Sequence, residues 1–368
     1  MLDNVLAHLE ALVAFDTRNP PRAIDCGGIF EYLRTQLPGF EIDLIDHGAG
    51  AVSLLAVRGH PQRVFNVHLD TVPDSPGWSA DPFVLRVDEQ RAVGLGACDI
   101  KVAAACLLAA AQRTTGDSAY LFTSDEEAHD PRCISAFLVM DHRFKEAIVA
   151  EPTRCEAVLT HRGIASVLMR FSGTAGHASD ANVLEESALH QAVRWSGRGL
   201  DLVASEAHRS FDELTGLRFN IGRIEGGIKA NMIAPSAELR FGFRPLPLPS
   251  QEIDALHATF RGFVDPSVLA HYEETFRGPS LPTGDSASSE QASAEDRRIE
   301  AHCLADALGL PIGNAVDFWT EAALFSQAGM TAIVYGPGDI AQAHTADEWV
   351  ALDDLNTAAA TYHRLLEG

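Results

Sequence analysis

Two histidines and several acids stand where apolar runs end, and their residue types suit a divalent cation. In R-V-F-N-V-H-L-D-T-V-P, His68 and Asp70 are two apart at the close of such a run, so the alternation of a strand sets both side chains on one face. A neutral imidazole is a common ligand of zinc or cobalt, and Asp70 is expected to accept the other ring N–H and fix the tautomer. A histidine bonded to a turn aspartate is the plainer alternative. Asp99 follows Gly94 and Gly96 and precedes an Ala-rich run; it either caps a helix there or offers its two oxygens to two ions. Glu126 and Glu127 lie in F-T-S-D-E-E-A-H-D. Adjacent carboxylates are costly to hold together unless solvent or a cation separates them; pointing apart, one can ligate metal while the other accepts a proton from water. A solvated acidic loop is the alternative. Glu151 ends A-I-V-A-E-P, and His344 lies in G-P-G-D-I-A-Q-A-H-T-A-D-E. Jointly these are zinc or cobalt ligand types, and two ions about 3.5 to 4 Å apart could share Asp99.

For these residues to meet, the segments that carry them must end on one edge of a sheet. Runs at 52–57, 63–69, 119–123 and 147–150 read as strands, 101–112 as a helix, and Leu2, Val5, Leu6, Leu9, Leu12 and Val13 follow helical spacing. Strands alternating with helices imply an α/β domain with a mixed, largely parallel sheet covered on both faces. Such open sheets build their sites at the carboxyl ends of strands. From about residue 164 the pattern changes to strand 165–172, helix 184–203, strands 217–224 and 237–244, helix 252–263 and strand 267–276. That β-α-β-β-α-β order predicts an inserted ferredoxin-like α+β domain over 162–277, with 1–161 and 278–368 forming the other domain. The stretch 278–296, rich in Ser, Gly, Pro and acids, is expected to be a mobile loop returning to the first domain. Helix 297–308, strand 331–335 and helix 352–366 close the chain.

A length of 368 residues suits two domains. With 28 Lys and Arg against 51 Asp and Glu, a net charge of -23 would repel a nucleic-acid backbone or an anionic membrane. Neither is an expected partner. The six cysteines are scattered with no C-x-x-C pair and read as reduced core thiols. The longest apolar run, 102–111, is about half of the roughly 20 residues that span a bilayer. The opening residues lack a basic segment followed by an apolar one, so no secretory signal and a cytoplasmic location are expected.

Seven motifs occur in order: H-L-D-T-V-P at 68–73, D-I-K at 99–101, the 126–127 Glu pair, E-P at 151–152, G-H-A-S at 176–179, G-G-x-x-A-N at 226–231 and A-H-x-x-D-E at 343–348. Over nearly its whole length the chain resembles the aminoacylase and acetylornithine deacetylase family of dinuclear metallopeptidases. The resemblance implies two divalent ions, Zn2+ or Co2+, with His68 and Glu151 on one, Glu127 and His344 on the other, and Asp99 bridging. It implies Glu126 as general base and Asp70 as the residue supporting His68. The inserted domain would be a lid that also forms a homodimer, with His177 reaching across to the partner's substrate. Asn231 and Arg244 would meet the substrate carboxylate, for which the planar guanidinium fork is the natural clamp.

The expected reaction is hydrolysis of the N-acyl amide of a small amino acid. Lys229, beside Asn231, would disfavour cationic ornithine and tolerate neutral citrulline, which points to N-acetylcitrulline in arginine biosynthesis. N-acetylornithine, a succinylated diaminopimelate or a dipeptide are the alternative substrates. A catalytically inactive metal-binding interaction protein is the reading from another class, and Glu126 beside a full ligand set argues against it. The chain departs from the family pattern at Val102, where Gly is usual, and in A-H-D after the Glu pair, where a small turn with Gly is usual; both predict a differently shaped pocket wall.

Overall fold

The strands that carry the candidate residues are apolar on both faces, which only a covered sheet tolerates. In the computed structural model, Arg63–His68 and Ser118–Thr123 are buried along almost their whole length and pair in parallel. The structure describes residues 1–128, 130–140, 143–284 and 293–367. Contacts divide the chain into two compact units: Met1–Leu159 with Arg298–Gly313 and Thr320–Gly368, and Thr160–Arg297 with Asn314–Trp319.

The six-stranded sheet of the first unit runs Glu41–Asp46, Val52–Arg58, Ser118–Thr123, Arg63–His68, Glu146–Val149, Thr331–Val334. The first two steps are antiparallel and the remaining three parallel, so the sheet is mixed and largely parallel. Parallel neighbours share a carboxyl edge, and that edge gathers His68, the turn 124–127, Glu151 and the loop after Thr331–Val334. The helix Lys101–Ala111 is buried at every residue. Its alanines let Leu2–Val13 and Leu352–Glu367 pack against it, as a helix apolar all round requires. Tyr362 closes this core: its hydroxyl donates to the Tyr335 carbonyl at 3.0 Å and its ring meets Phe65 edge-on at 5.7 Å.

In the second unit the sheet order is Arg218–Gly226, Ser236–Arg244, Ile164–Ser172, Ala270–Gly278, antiparallel throughout. In chain order these are the second, third, first and fourth strands, the arrangement of a split βαβ unit. Ala188–Ser205 and Ser250–Gly262 are its helices. Buried Trp195 joins them, donating Nε1–H to the Phe260 carbonyl at 2.8 Å with its ring 4.6 Å from Phe241. Strand alternation turns Ala237, Leu239, Phe241 and Phe243 into that core and leaves Glu238, Arg240, Gly242 and Arg244 on the other face.

The return to the first unit comes at 298 rather than 278. Trp319 donates to the Pro279 carbonyl at 2.8 Å, Val316 N–H to the Thr160 carbonyl at 3.0 Å, and Arg162 to the Asp317 carboxylate, so 314–319 also stay with the second unit. Of the loop expected at 278–296, residues 285–292 lie outside the described residues.

Candidate metal centre

Asp99 decides how the edge is built. The helix that follows is capped at Ile100 with no side-chain bond, so the Asp99 carboxylate is not spent on the cap. One of its oxygens lies 3.2 Å from His68 Nε2 and the other 3.2 Å from His344 Nε2. Glu151 Oε1 is 4.0 Å from His68 Nε2, and Glu127 Oε1 is 3.0 Å from His344 Nε2. Two groups result, His68–Asp99–Glu151 and Asp99–Glu127–His344, each with its ligand atoms within 4.8 Å of one another. All five residues singled out as ligands fall in these groups, and Asp99 belongs to both.

The local chain explains the geometry. Gly336 lies so near Glu151 that a Cβ there would come 2.6 Å from the Glu151 carbonyl. His344 occupies a left-handed conformation at φ 60° in its loop. His68 Nδ1 is 3.0 Å from the Asp70 backbone carbonyl and 3.6 Å from its carboxylate. The Asp70 carbonyl is thus the nearer neighbour of that ring nitrogen, with the carboxylate beside it, and Nε2 faces Asp99 and Glu151. The Asp70 carboxylate accepts from Asn19 Nδ2 and from the Glu127 backbone N–H, both at 3.0 Å, and so fixes the neighbouring ligand loop.

So many acids at one edge compete for positive charge. Burial drives Glu151 well above the usual carboxylate range, against the pull of His68. Burial also raises Glu127, opposed by its bond to His344. Burial works to raise Asp99 too, but the bonds to His344 and His68 hold it below the usual range. Bonds to Asp99 and Glu127 push His344 up to about 11. For His68, burial opposes the charge while Asp70 and Asp99 more than restore it. Divalent ions fit this cluster by its donors, which are imidazole nitrogens and carboxylate oxygens, the set that suits zinc or cobalt.

Glu126, between these groups in sequence, has no protein hydrogen-bond partner among the described residues, and burial pushes it up to about 8, opposed by His68 and reinforced by Glu127. Its loop is held by Asp125, whose carboxylate accepts from the Cys133 backbone N–H at 2.9 Å. Val102 lies in the fully buried helix, and of A-H-D the His129 position lies outside the described residues.

The remaining candidates belong to the second unit. His177 is exposed in a short strand paired with Met232–Ile233. Its Nδ1 lies 2.7 Å from the Ser179 hydroxyl and 3.2 Å from the Ser179 backbone N–H, and its Nε2 has no hydrogen-bond partner among the described residues. Asn231 adjoins it, with the Ala178 N–H donating to the Asn231 carbonyl at 3.1 Å. Lys229 is exposed and makes no ion pair among the described residues. Arg244 is half-buried, stands directly across from Arg218 in the sheet, and lines a cavity of about 500 Å³ with Arg218, Arg240 and Asn220. Its guanidinium has no hydrogen-bond partner among the described residues, and burial lowers its pKa despite Asp317.

Sequence reasoning passed over four residues of the first unit. Asn19 supports Asp70, and its only signal was the N-P-P turn. Lys101 is fully buried, donating Nζ–H to the Phe15 carbonyl at 2.9 Å. Glu321 is buried beside Asp125 and Glu126, and burial raises it well above its usual range. Glu348 receives three backbone N–H groups of the Gly96–Asp99 turn; its signal was the A-H-x-x-D-E motif. Among the described residues no helix is long and apolar enough to cross a membrane.

The profile of peptidase family M20/M25/M40 matches residues 64–368. An N-acetyl-L-citrulline deacetylase from Xanthomonas campestris pv. campestris is 65% identical, the match covering 100% of this chain and 99% of that protein. An acetylornithine deacetylase from Vibrio vulnificus is 30% identical over 86% of this chain and 84% of its own. The solved structure of a dinuclear metal-binding peptidase of the M20 family from Bacillus subtilis matches with a TM-score of 0.66 and 14% identity, covering 100% of this chain and 97% of that one.

Proposed function

This chain belongs to peptidase family M20/M25/M40, and on that premise we propose that it is a metal-dependent amidohydrolase that converts N-acetyl-L-citrulline and water to L-citrulline and acetate. One observation carries the metal chemistry: a single carboxylate, Asp99, turns one oxygen to each of two histidines, each of which has a further acid beside it. The substrate follows from 65% identity over the full chain to an N-acetyl-L-citrulline deacetylase.

His68 and Glu151 would hold one ion, Glu127 and His344 the other, and Asp99 both. Zn2+ or Co2+ bound there supplies a Lewis acid for the amide carbonyl and lowers the pKa of water from 15.7 toward about 7. Glu126 takes one proton from the attacking water as its oxygen bonds to the acetyl carbon, and returns that proton to the amide nitrogen as the C–N bond breaks. Its lack of a hydrogen-bond partner among the described residues suits a group that must accept and release a proton in one turnover. Arg244, whose guanidinium has no hydrogen-bond partner among the described residues, clamps the substrate carboxylate with Asn231. Lys229 disfavours a cationic substrate side chain. His177 donates its Nε2–H to the carbonyl oxygen as negative charge develops, acting on the substrate of the second copy in a homodimer joined through the second unit. The enzyme works in the cytoplasm, in arginine biosynthesis.

The test is amine release from N-acetylcitrulline, N-acetylornithine and N-succinyldiaminopimelate, each with and without chelator. Chelator-sensitive release that is fastest from N-acetylcitrulline is expected. Faster release from N-acetylornithine would keep the reaction and reassign the substrate.

A further inference from the structure

Glu348 is an acid that neither the ligand set nor the reaction uses, yet it is only 2% exposed. One carboxylate oxygen accepts from the backbone N–H of Cys98 at 2.8 Å and of Asp99 at 2.9 Å. The other accepts from Gly96 N–H at 3.0 Å, and the Glu348 carbonyl takes Gly94 N–H at 3.0 Å. The turn that ends on Asp99 is thus wrapped around one side chain, a concave nest of N–H groups closed on a carboxylate. Gly96 lets the wrap form: it sits at φ +75°, and a Cβ there would meet Thr71 Cγ2 at 2.8 Å and Lys101 Cδ at 3.0 Å.

Glu348 also belongs to the segment that carries His344. That segment is anchored on its own account: Asp347 accepts from Ser79 N–H at 3.1 Å and from Arg86 Nη2 at 2.6 Å, and Trp349–Ala351 pairs with Arg91–Val93. The Ser75 hydroxyl donates to the His344 carbonyl at 3.1 Å. One side chain therefore joins the turn presenting Asp99 to the loop presenting His344.

We propose that Glu348 is the positioning residue of the metal centre, holding the Asp99 turn in register with the His344 loop so that the two Asp99 oxygens serve two ions. The inference rests on the metal reading given above. A carboxylate is required because three N–H donors converge on two oxygens. An amide would offer one oxygen and turn its own N–H2 against a backbone donor, leaving buried groups unpaired.

The test uses the full chain stripped with chelator and titrated with Co2+ alone, followed by calorimetry and by the visible absorption of the bound ion. Wild type is expected to bind two ions. Glu348→Gln is expected to bind at least one of them about 10- to 100-fold more weakly, the range found when a supporting partner of a metal ligand is lost. Its kcat at saturating Co2+ falls while KM for N-acetylcitrulline stays. Should that variant not fold, Glu348→Asp carries the same test, since it keeps both oxygens but withdraws them by one methylene. Two ions bound with wild-type affinity by a folded Glu348→Gln would overturn the proposal. A wild-type chain that binds no Co2+ would instead overturn the metal reading.

Discussion

Glu126→Gln separates catalysis from stability, because the two respond in opposite directions. Glu126 has no hydrogen-bond partner to lose among the described residues, and Gln matches its shape, so the replacement breaks no contact. It removes the carboxyl proposed to carry the proton from water to the amide nitrogen. General base catalysis contributes about 10²- to 10⁴-fold, so kcat is expected to fall by at least about 100-fold, or roughly 2.7 kcal/mol of barrier. Stability should move the other way. A carboxyl whose folded pKa is raised from 4.5 to about 8 opposes folding wherever the unfolded chain has already ionised. At pH 7, between those two values, the unfolded chain is ionised there and the folded carboxyl is not, so its removal should raise the stability of ion-free protein. Steady-state acetate release with cobalt-saturated protein reads the first effect, and thermal melts in chelator read the second. A variant with full metal content and activity within about tenfold of wild type would refute the assignment of Glu126 as base.

The other predictions concern the wider site. Ion-free protein should melt at lower temperature at pH 8.5 than at pH 6: Glu126, Glu151 and Glu348 have folded pKa values raised by burial, so their ionisation costs more as pH rises above about 4.5, and His344, raised to about 11, gives stability that is lost as pH climbs past 6.5. Added Co2+ should restore more at pH 8.5 than at pH 6; an ion-free melting temperature that rises with pH would contradict this. Arg244→Lys loses the bidentate fork and should raise KM about 10- to 100-fold, measured on N-acetylcitrulline with kcat followed in parallel. If His177 acts on the partner copy, mixing inactive His177→Ala and Glu126→Gln proteins should restore activity; none after proven subunit exchange would remove that role.

Of the candidate ligands legible in the sequence, His68 ends a strand and Glu127 and Glu151 follow strands closely, where parallel strands of one sheet share an edge, whereas Asp99 follows a turn and His344 lies in a loop. What Asp99 does was not legible, since a cap and a bridge look alike in D-I-K. Only His68 and His344, distant in the chain, decide between them. Glu348 was visible as a letter in a motif, but its partners Gly96, Cys98 and Asp99 lie some 250 residues earlier, and no local period links them. Asp70 faces His68 with its backbone carbonyl at 3.0 Å and its carboxylate at 3.6 Å, a detail of side-chain rotation that residue types do not encode. The strand Glu41–Asp46 was missed because Glu41, Asp43 and Asp46 give it the look of a loop; it is an antiparallel edge strand, where such acids can face solvent. That 314–319 stay with the second unit goes with Trp319 reaching Pro279, again a contact without local signal.

Everything proposed for the site depends on His68, Asp99, Glu127, Glu151 and His344 holding two ions that hydrolysis needs. It is tested most directly by adding Co2+ stepwise to chelator-stripped protein while counting bound ions and following acetate release from N-acetylcitrulline. Negligible release without ions is expected, with activity that rises with occupancy to two per chain and loss of both in Asp99→Ala. Full activity in the stripped protein, or two ions retained by Asp99→Ala, would contradict it.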